Sequence, residues 1–549
     1  MKFLIQPTNS HNQNMKSNIR TMFSGKLILG MLFATSLFLL SCNPSHREHR
    51  GNSHALHTEA FRPQFHFSPD SMWMNDPNGM VYYKGEYHLF YQHHPYSNIW
   101  GPMHWGHAVS RDLIHWETLP IALYPDSLGT IFSGSVVIDR NNSSGLGSPE
   151  NPPMVAIFTH HNQELQRTGS MQFQYQSLAY SLDRGRSWTK YSGNPVVENP
   201  GIRDFRDPKV SWYEEGQKWI MVLAAQDRIL FYSSPNLIDW DKESEFYATK
   251  GLLEGVWECP DFFSLDNGKE KKWVLLISVG AGGPQGGGSG TKYYIGDFDG
   301  SRFTCDDPSG VTRWLDWGKD DYAGVTWSGI PSEDGRRIFM GWMSNWQYAM
   351  VVPTYRWRSA MTLPRELRLD KDRYGFIVAS VPAEETRKLR SARKKLKPVL
   401  IEDSISVGPA IKRGYPLYEI DLTFEFGPRT TEESEFGIIL GNSLDEQLLL
   451  SYHPRNQFIS IDRNRSGITG FSQYFPGIHY APYHAREAGE IRFHVFVDLS
   501  SAELFVDQGD LVMTELCFPE TGYQTISLYS KGGTVNLKQG EIYQLKRIW

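Results

Sequence analysis

Ser110-Arg-Asp-Leu-Ile-His-Trp116 returns as Ser234-Pro-Asn-Leu-Ile-Asp-Trp240, with a looser copy in Ser181-Leu-Asp-Arg-Gly-Arg-Ser-Trp188. Each copy follows a strand-like run and would close a hairpin. The final tryptophans stand 72 and 52 positions apart, a spacing that a four-stranded propeller blade would give. Working outward, residues 61 to about 369 form a succession of short aromatic and β-branched runs. Examples are residues 80–83, 87–92, 135–138, 154–159, 219–224 and 273–279, divided by turn residues such as Lys84-Gly85, Glu215-Gly216 and Asp266-Asn267-Gly268. About 310 residues of this texture hold five blades. The expectation is an all-β chain with a five-bladed β-propeller over residues 61–380.

Near Val381 the texture changes. The stretch 382–397 is rich in Lys and Arg and reads as a short amphipathic helix or a solvated connector, so 381–400 is expected as a linker. Residues 401–549 then alternate strands and turns at the spacing of a β-sandwich.

The 549 residues carry 55 Lys and Arg against 61 Asp and Glu, a formal net charge of −6. This mild acidity offers no basic face to a nucleic acid. The length allows two or three domains and a core that needs no staples. The 17 Trp serve equally as β-protein core or as stacking surface for sugars. The apolar stretch 27–40 is too short for a span of about 20 residues. Arg20 and Lys26 precede it, and it ends in Leu39-Leu40-Ser41-Cys42. That order resembles a bacterial lipoprotein signal over residues 1–42, with Cys42 the lipidated first residue and Met15 or Met22 the start. Residues 43–60 read as a polar tether. The expected location is the bacterial cell envelope, membrane-anchored through Cys42. Facing the periplasm is favoured over the cell surface because no acidic run follows the Cys. Cys259, Cys305 and Cys517 cannot all pair, which excludes a disulfide scaffold.

Three acids stand in unusual settings. Asp76 lies in Trp73-Met-Asn-Asp-Pro-Asn-Gly79, Asp207 in Phe205-Arg-Asp-Pro208, and Glu258 in Trp257-Glu-Cys-Pro-Asp261. Singly, each reads as a turn. Together, on different blades, they would converge at a propeller's central channel. Glycosidic cleavage needs one ionised carboxylate and one carboxyl that holds a proton. Asp76, between Asn75 and Asn78, suits the ionised role. Glu258, flanked by Trp257, Cys259 and Pro260, suits a poorly solvated acid. Asp207 beside Arg206 is expected to stay ionised.

These motifs, in this order, resemble glycoside hydrolase family 32, the family of invertases, inulinases and levanases. Phe90-Tyr91-Gln92, Trp105-Gly-His-Ala108, Phe132-Ser-Gly-Ser135 and Gly296-Asp-Phe-Asp-Gly300 extend the match. The resemblance implies a five-bladed propeller followed by a β-sandwich. It also implies a retaining β-fructosidase with Asp76 as nucleophile, Glu258 as acid and base, and Asp207 as transition-state stabiliser. It places Asn75, Gln92, Trp100, Phe132, Ser133 and Arg206 around the first fructose, with Trp327 stacking there. The implied partner is a fructan or fructo-oligosaccharide; no cofactor or metal is called for. The stretch 341–365 looks like exo-inulinases and levanases, which favours polymeric or oligomeric fructan over sucrose alone and exo over endo attack. Met350-Val351 is its departure from the commoner polar pair, near the pocket rim.

Four other readings are weaker. The Gly-rich run 281–290 lacks the Gly-Lys-Ser/Thr of a phosphate loop and is expected as a mobile loop near the site. His93-His94 and His104-Trp-Gly-His107 lack the helical spacing of a zinc motif. A fructan-binding protein without catalysis would not need all three acids, and fructosyl transfer differs from hydrolysis only in the acceptor.

Overall fold

A computed structural model of the chain describes residues 57–247, 255–306, 312–408, 415–427 and 433–549. The expected signal with Cys42 and most of the tether 43–60 lie outside the described residues.

Five sheets follow one another along residues 72–382. Blade 1 runs Met72–Tyr83, Glu86–His94, His104–Ser110 and Trp116–Leu123. Blade 2 runs Thr130–Ile138, Met154–His161, Gln174–Ser181 and Thr189–Lys190. Blade 3 runs Phe205–Tyr213, Lys218–Ala225, Arg228–Ser234 and Asp241–Tyr247. Blade 4 is Trp257–Asp266, Lys271–Val279, Gly290–Phe298 and Phe303–Cys305. Blade 5 is Tyr322–Thr326, Arg337–Met343, Arg365–Asp372 and Gly375–Pro382. Their first strands touch in sequence, and blade 5 meets blade 1, so the ring closes. Trp357–Arg358 pairs in parallel with Met72 and Trp73 and ties the end of the ring to its start.

The second strands are buried on both faces, which is why they read as unbroken apolar runs. In Lys218–Ala225, Met221 and Leu223 pack towards blade 2, while Ile220 and Val222 pack towards blade 4. The repeat that opened the sequence reading has a hydrogen-bonding cause. In each copy a side chain at the third position turns back onto the backbone: Asp112 accepts from His115 N, Asn236 from Asp239 N, and Asp183 from Ser187 N. The closing indoles donate to backbone carbonyls, Trp116 to Leu113 and Trp240 to Leu237 at 3.1 and 3.0 Å, and Trp188 to Gly185 at 3.1 Å. Each copy links the third and fourth strands of its blade.

The expected linker is not one. After a 3-10 turn at Glu384–Leu389, Arg390–Leu396 forms a strand paired with Val535–Leu545. Its Lys and Arg belong to the exposed face of an edge strand, a usual device against sheet-to-sheet aggregation. That strand opens one sheet of the sandwich; the other runs from Ser404–Ser406 to Ile478–Pro482, and the two enclose a common core of Ile, Leu, Val and Phe.

Buried ion pairs join sandwich to propeller. Arg365 binds Asp316, Asp321 and Glu503, and Arg463 binds Asp320 and Glu515, all with fully buried side chains. Gly318 allows a close approach, since a Cβ there would sit 2.2 Å from the Thr514 carbonyl oxygen. The Gly-rich stretch 281–290 is part of this joint. Lys319 Nζ donates to the carbonyls of Gln285 and Gly287, and the Gln285 amide bonds to Tyr480 of the sandwich. The loop expected to be mobile is therefore strapped down.

Candidate active site

Each blade's first strand breaks register at the same end of the ring. The irregular residues are Asn75-Asp76 in blade 1, Phe132-Ser133 in blade 2, Asp207-Pro208 in blade 3, Cys259-Pro260 in blade 4 and Ala323-Gly324 in blade 5. Pro208 and Pro260 lie inside these breaks and have no N–H to give to a ladder, and Pro77 directly follows the break in blade 1. The Asp-Pro pairs thus mark bulges inside strands rather than turns. Asp207 and Cys259 are held at φ of 65° and 43°, strained values for non-glycine residues that re-aim the neighbouring side chains.

The bulges surround a pocket of about 350 Å³ lined by Asn75, Asp76, Gln92, Trp100, Phe132, Ser133, Arg206, Asp207 and Glu258. That brings together every site residue expected from the sequence except one. Trp327 is fully buried in the core between blades 5 and 1, against Tyr87 and Trp116, and its Nε1 donates to the His88 carbonyl at 2.9 Å. Position along the chain explains the miss: Tyr322, at the start of the Tyr322–Thr326 strand, reaches the site and donates to Glu258 Oε2, whereas Trp327 follows that strand's other end, away from the pocket. Trp346 lines the pocket and stacks on Trp73. Met350 also lines it and is exposed at the rim.

The acids are tightly supported. Glu258, expected to be poorly solvated, has Oε1 2.8 Å from Arg206 Nη2 and Oε2 bound by Tyr322. Asp207 Oδ2 accepts from Cys259 N at 3.0 Å, and Asp207 N donates to Thr159 Oγ1 at 3.0 Å. The Cys259 thiol bridges the acids, 3.7 Å from Asp76 Oδ2 and 3.6 Å from Asp207 Oδ2, and burial keeps it protonated. Ser133 Oγ lies 3.4 Å from Asp76 Oδ2. Asp76 Oδ1 and Gln92 Nε2 are buried without a protein partner, which is costly unless a ligand supplies one.

Burial first, then the charge of Glu258, pushes Asp76 up to about 7. The hydrogen bond from Asn75, whose Oδ1 accepts from the Trp73 indole at 2.6 Å, opposes this shift without outweighing it. Burial also raises Asp207; Arg206 opposes the shift and Glu258 adds to it, leaving about 6. Asp76 and Asp207, close together in a largely dehydrated pocket, are therefore both harder to ionise than free carboxyls. The arrangement can thus hold an acid and a carboxylate side by side. Among the described residues no group of three or more His, Cys, Asp or Glu could hold a metal ion.

Residues outside the sequence reading complete the wall: His161, Gln166, Phe173, Gln174 and Asp204. Nothing in their local sequence marks them; His161, Gln166, Phe173 and Gln174 come from the facing ends of blade 2's second and third strands and the connection between them, which holds the short helix Gln163–Arg167, and Asp204 from just before blade 3's first strand.

The chain matches known proteins over most of its length. The model described as Glycosyl hydrolases family 32 N-terminal domain matches residues 66–379, and that for the family 32 C terminal matches 385–544. The chain is 48% identical over 499 residues to a levanase of Bacillus subtilis, covering 90% of this chain and 72% of that protein. It is 38% identical over 525 residues to an extracellular exo-inulinase of Aspergillus awamori, covering 89% and 96%. The crystal structure of exo-inulinase from Aspergillus awamori superposes with a TM-score of 0.81 at 36% identity, covering 90% of this chain and all of that one. A β-fructofuranosidase from Schwanniomyces occidentalis complexed with fructosyl-erythritol gives 0.79 at 31% identity, covering 89% and 99%.

Proposed function

Because this chain belongs to glycosyl hydrolase family 32, we propose that it hydrolyses β-fructofuranosidic bonds of fructans with retention, releasing fructose from the non-reducing end. The observation that carries this is the buried, unpartnered Asp76 Oδ1 in a pocket shared with Glu258. Asp76 attacks the anomeric carbon of the terminal fructosyl unit while Glu258 gives its proton to the departing glycosidic oxygen. The fructosyl–Asp76 ester then breaks when Glu258 takes a proton from water and the water oxygen bonds to the same carbon. Asp207, fixed by the Cys259 N–H and Thr159, holds sugar hydroxyls as positive charge builds on the ring. Exo attack is supported by a floor of buried Asn75 and Gln92 beneath a rim bearing Trp100 and Met350, a shape that takes a chain end. The order of Lys26, the apolar stretch 27–40 and Cys42 supports a lipid anchor at the cell envelope.

A product time course on levan, inulin and sucrose tests the reaction. Fructose alone from the first minutes is expected, and early oligosaccharides would refute exo attack. Cys42→Ala should move the protein from the detergent phase to the aqueous phase; unchanged partitioning would refute the anchor.

A further inference from the structure

A directed hydrogen-bond relay runs outward from the acid side of the pocket. Arg206, which holds Glu258, also donates to Gln174 Oε1 from Nη1 at 3.4 Å. Gln174 Oε1 is fixed as an acceptor by the Phe205 N–H at 2.8 Å, so its Nε2 must donate. That Nε2 lies 3.1 Å from His161 Nδ1, and His161 Nε2 lies 3.0 Å from Gln166 Oε1. With Nδ1 accepting, a neutral His161 carries its proton on Nε2 and donates it to Gln166. Burial holds His161 neutral, lowering it to about 4. Its ring also stacks on Phe132 at 4.3 Å, and Phe132 meets Trp100 at 6.2 Å. The relay thus fixes the Gln166 amide with Oε1 inward and leaves its two N–H donors away from His161. Gln166 is exposed at the mouth of the pocket it lines, whereas Asn75 and Gln92 lie buried at the floor.

We propose that Gln166 is a specificity-determining residue for the leaving group, its oriented amide donating to a hydroxyl of the sugar unit next to the bond being cut. This rests on the β-fructosidase reading above. Glu258 must touch the glycosidic oxygen, so a wall that runs from its Arg206 partner to the rim passes alongside the departing sugar rather than the fructosyl unit on the floor. The selected class is a hydroxyl-bearing sugar leaving group, such as the next fructosyl unit, in preference to an aryl group that offers nothing to bond.

The test compares kcat/KM on 1-kestose and on an aryl β-fructofuranoside for the wild type, Gln166→Ala and Gln166→Glu. The Glu variant keeps an oxygen for His161 and removes the donors. Both variants are expected to lose about five- to tenfold more on 1-kestose than on the aryl fructoside, as for one or two neutral hydrogen bonds. Equal losses on the two substrates would overturn the proposal. So would a wild-type ratio in Gln166→Glu, which would show that only the His161 contact matters. A wild type inactive on both substrates would instead overturn the β-fructosidase reading, and this proposal with it.

Discussion

Replacing Asp76 by Asn should abolish turnover and make the protein more stable, increasingly so as the pH rises. In the folded chain burial and the Glu258 charge raise the Asp76 carboxyl from an ordinary 3.8 to about 7. The folded state therefore binds more protons than the unfolded state between those values, and wild-type stability falls as pH climbs through that window. From about pH 4.5 to about pH 7.5 the fall attributable to Asp76 is about 3 kcal/mol, at about 1.4 kcal/mol per pH unit of separation. Water at the pocket mouth reduces this, because Asp76 is not wholly buried. An amide of the same shape does not ionise and escapes the loss. For a folded unit of this size 1 kcal/mol moves the unfolding temperature by about 1 °C. Calorimetry should find Asp76→Asn melting about 2–3 °C further above wild type at about pH 7.5 than at about pH 4.5. A gap that is flat with pH, or that shrinks, would refute the account of Asp76 as a carboxylate held at an energetic cost for catalysis.

Glu258→Gln should lose about 10²–10⁴-fold on fructans and less on substrates with good leaving groups, measured as kcat; equal losses would remove Glu258 from the acid role. Trp327→Phe should lower the melting temperature and leave KM for fructan unchanged, since its ring fills core and its indole holds the His88 carbonyl; a raised KM would return it to the sugar site. Arg365→Met leaves Asp316, Asp321 and Glu503 facing one another and should cost about 3–5 kcal/mol, read as a fall in the unfolding temperature of the whole chain. Burial alone would lower His66, but its hydrogen bonds to Asp498 and Glu503 raise it to about 9. That stability is complete below about pH 6.5 and lost as pH rises through about 9, by about 3 kcal/mol. Melting temperatures of wild type and His66→Gln should converge over that window, and parallel curves would refute the pairing.

The sequence by itself determined the strands, their grouping into blades and the three acids, because each rests on local chemistry. Apolar runs buried on both faces, a side chain turned back onto its own loop at Asp112, Asp183 and Asn236, and a proline that cannot join a ladder all act within a few residues. The stretch 381–400 misled because Lys and Arg serve a solvated linker and the open face of an edge strand equally well; only pairing with Val535–Leu545 separates them. Trp327 misled because a residue just past a strand's far end looks in sequence like one at its site end; only closure of blade 5 onto blade 1 puts it in the core. Tyr322, His161, Gln166 and Gln174 meet the acids across blades, through bulges and a short helix whose local sequence announces nothing. The proton affinities of Asp76 and Asp207 were likewise beyond the sequence. Flanking residues suggested easy ionisation, but dehydration and like charge depend on distances that exist only once blades 1, 3 and 4 converge.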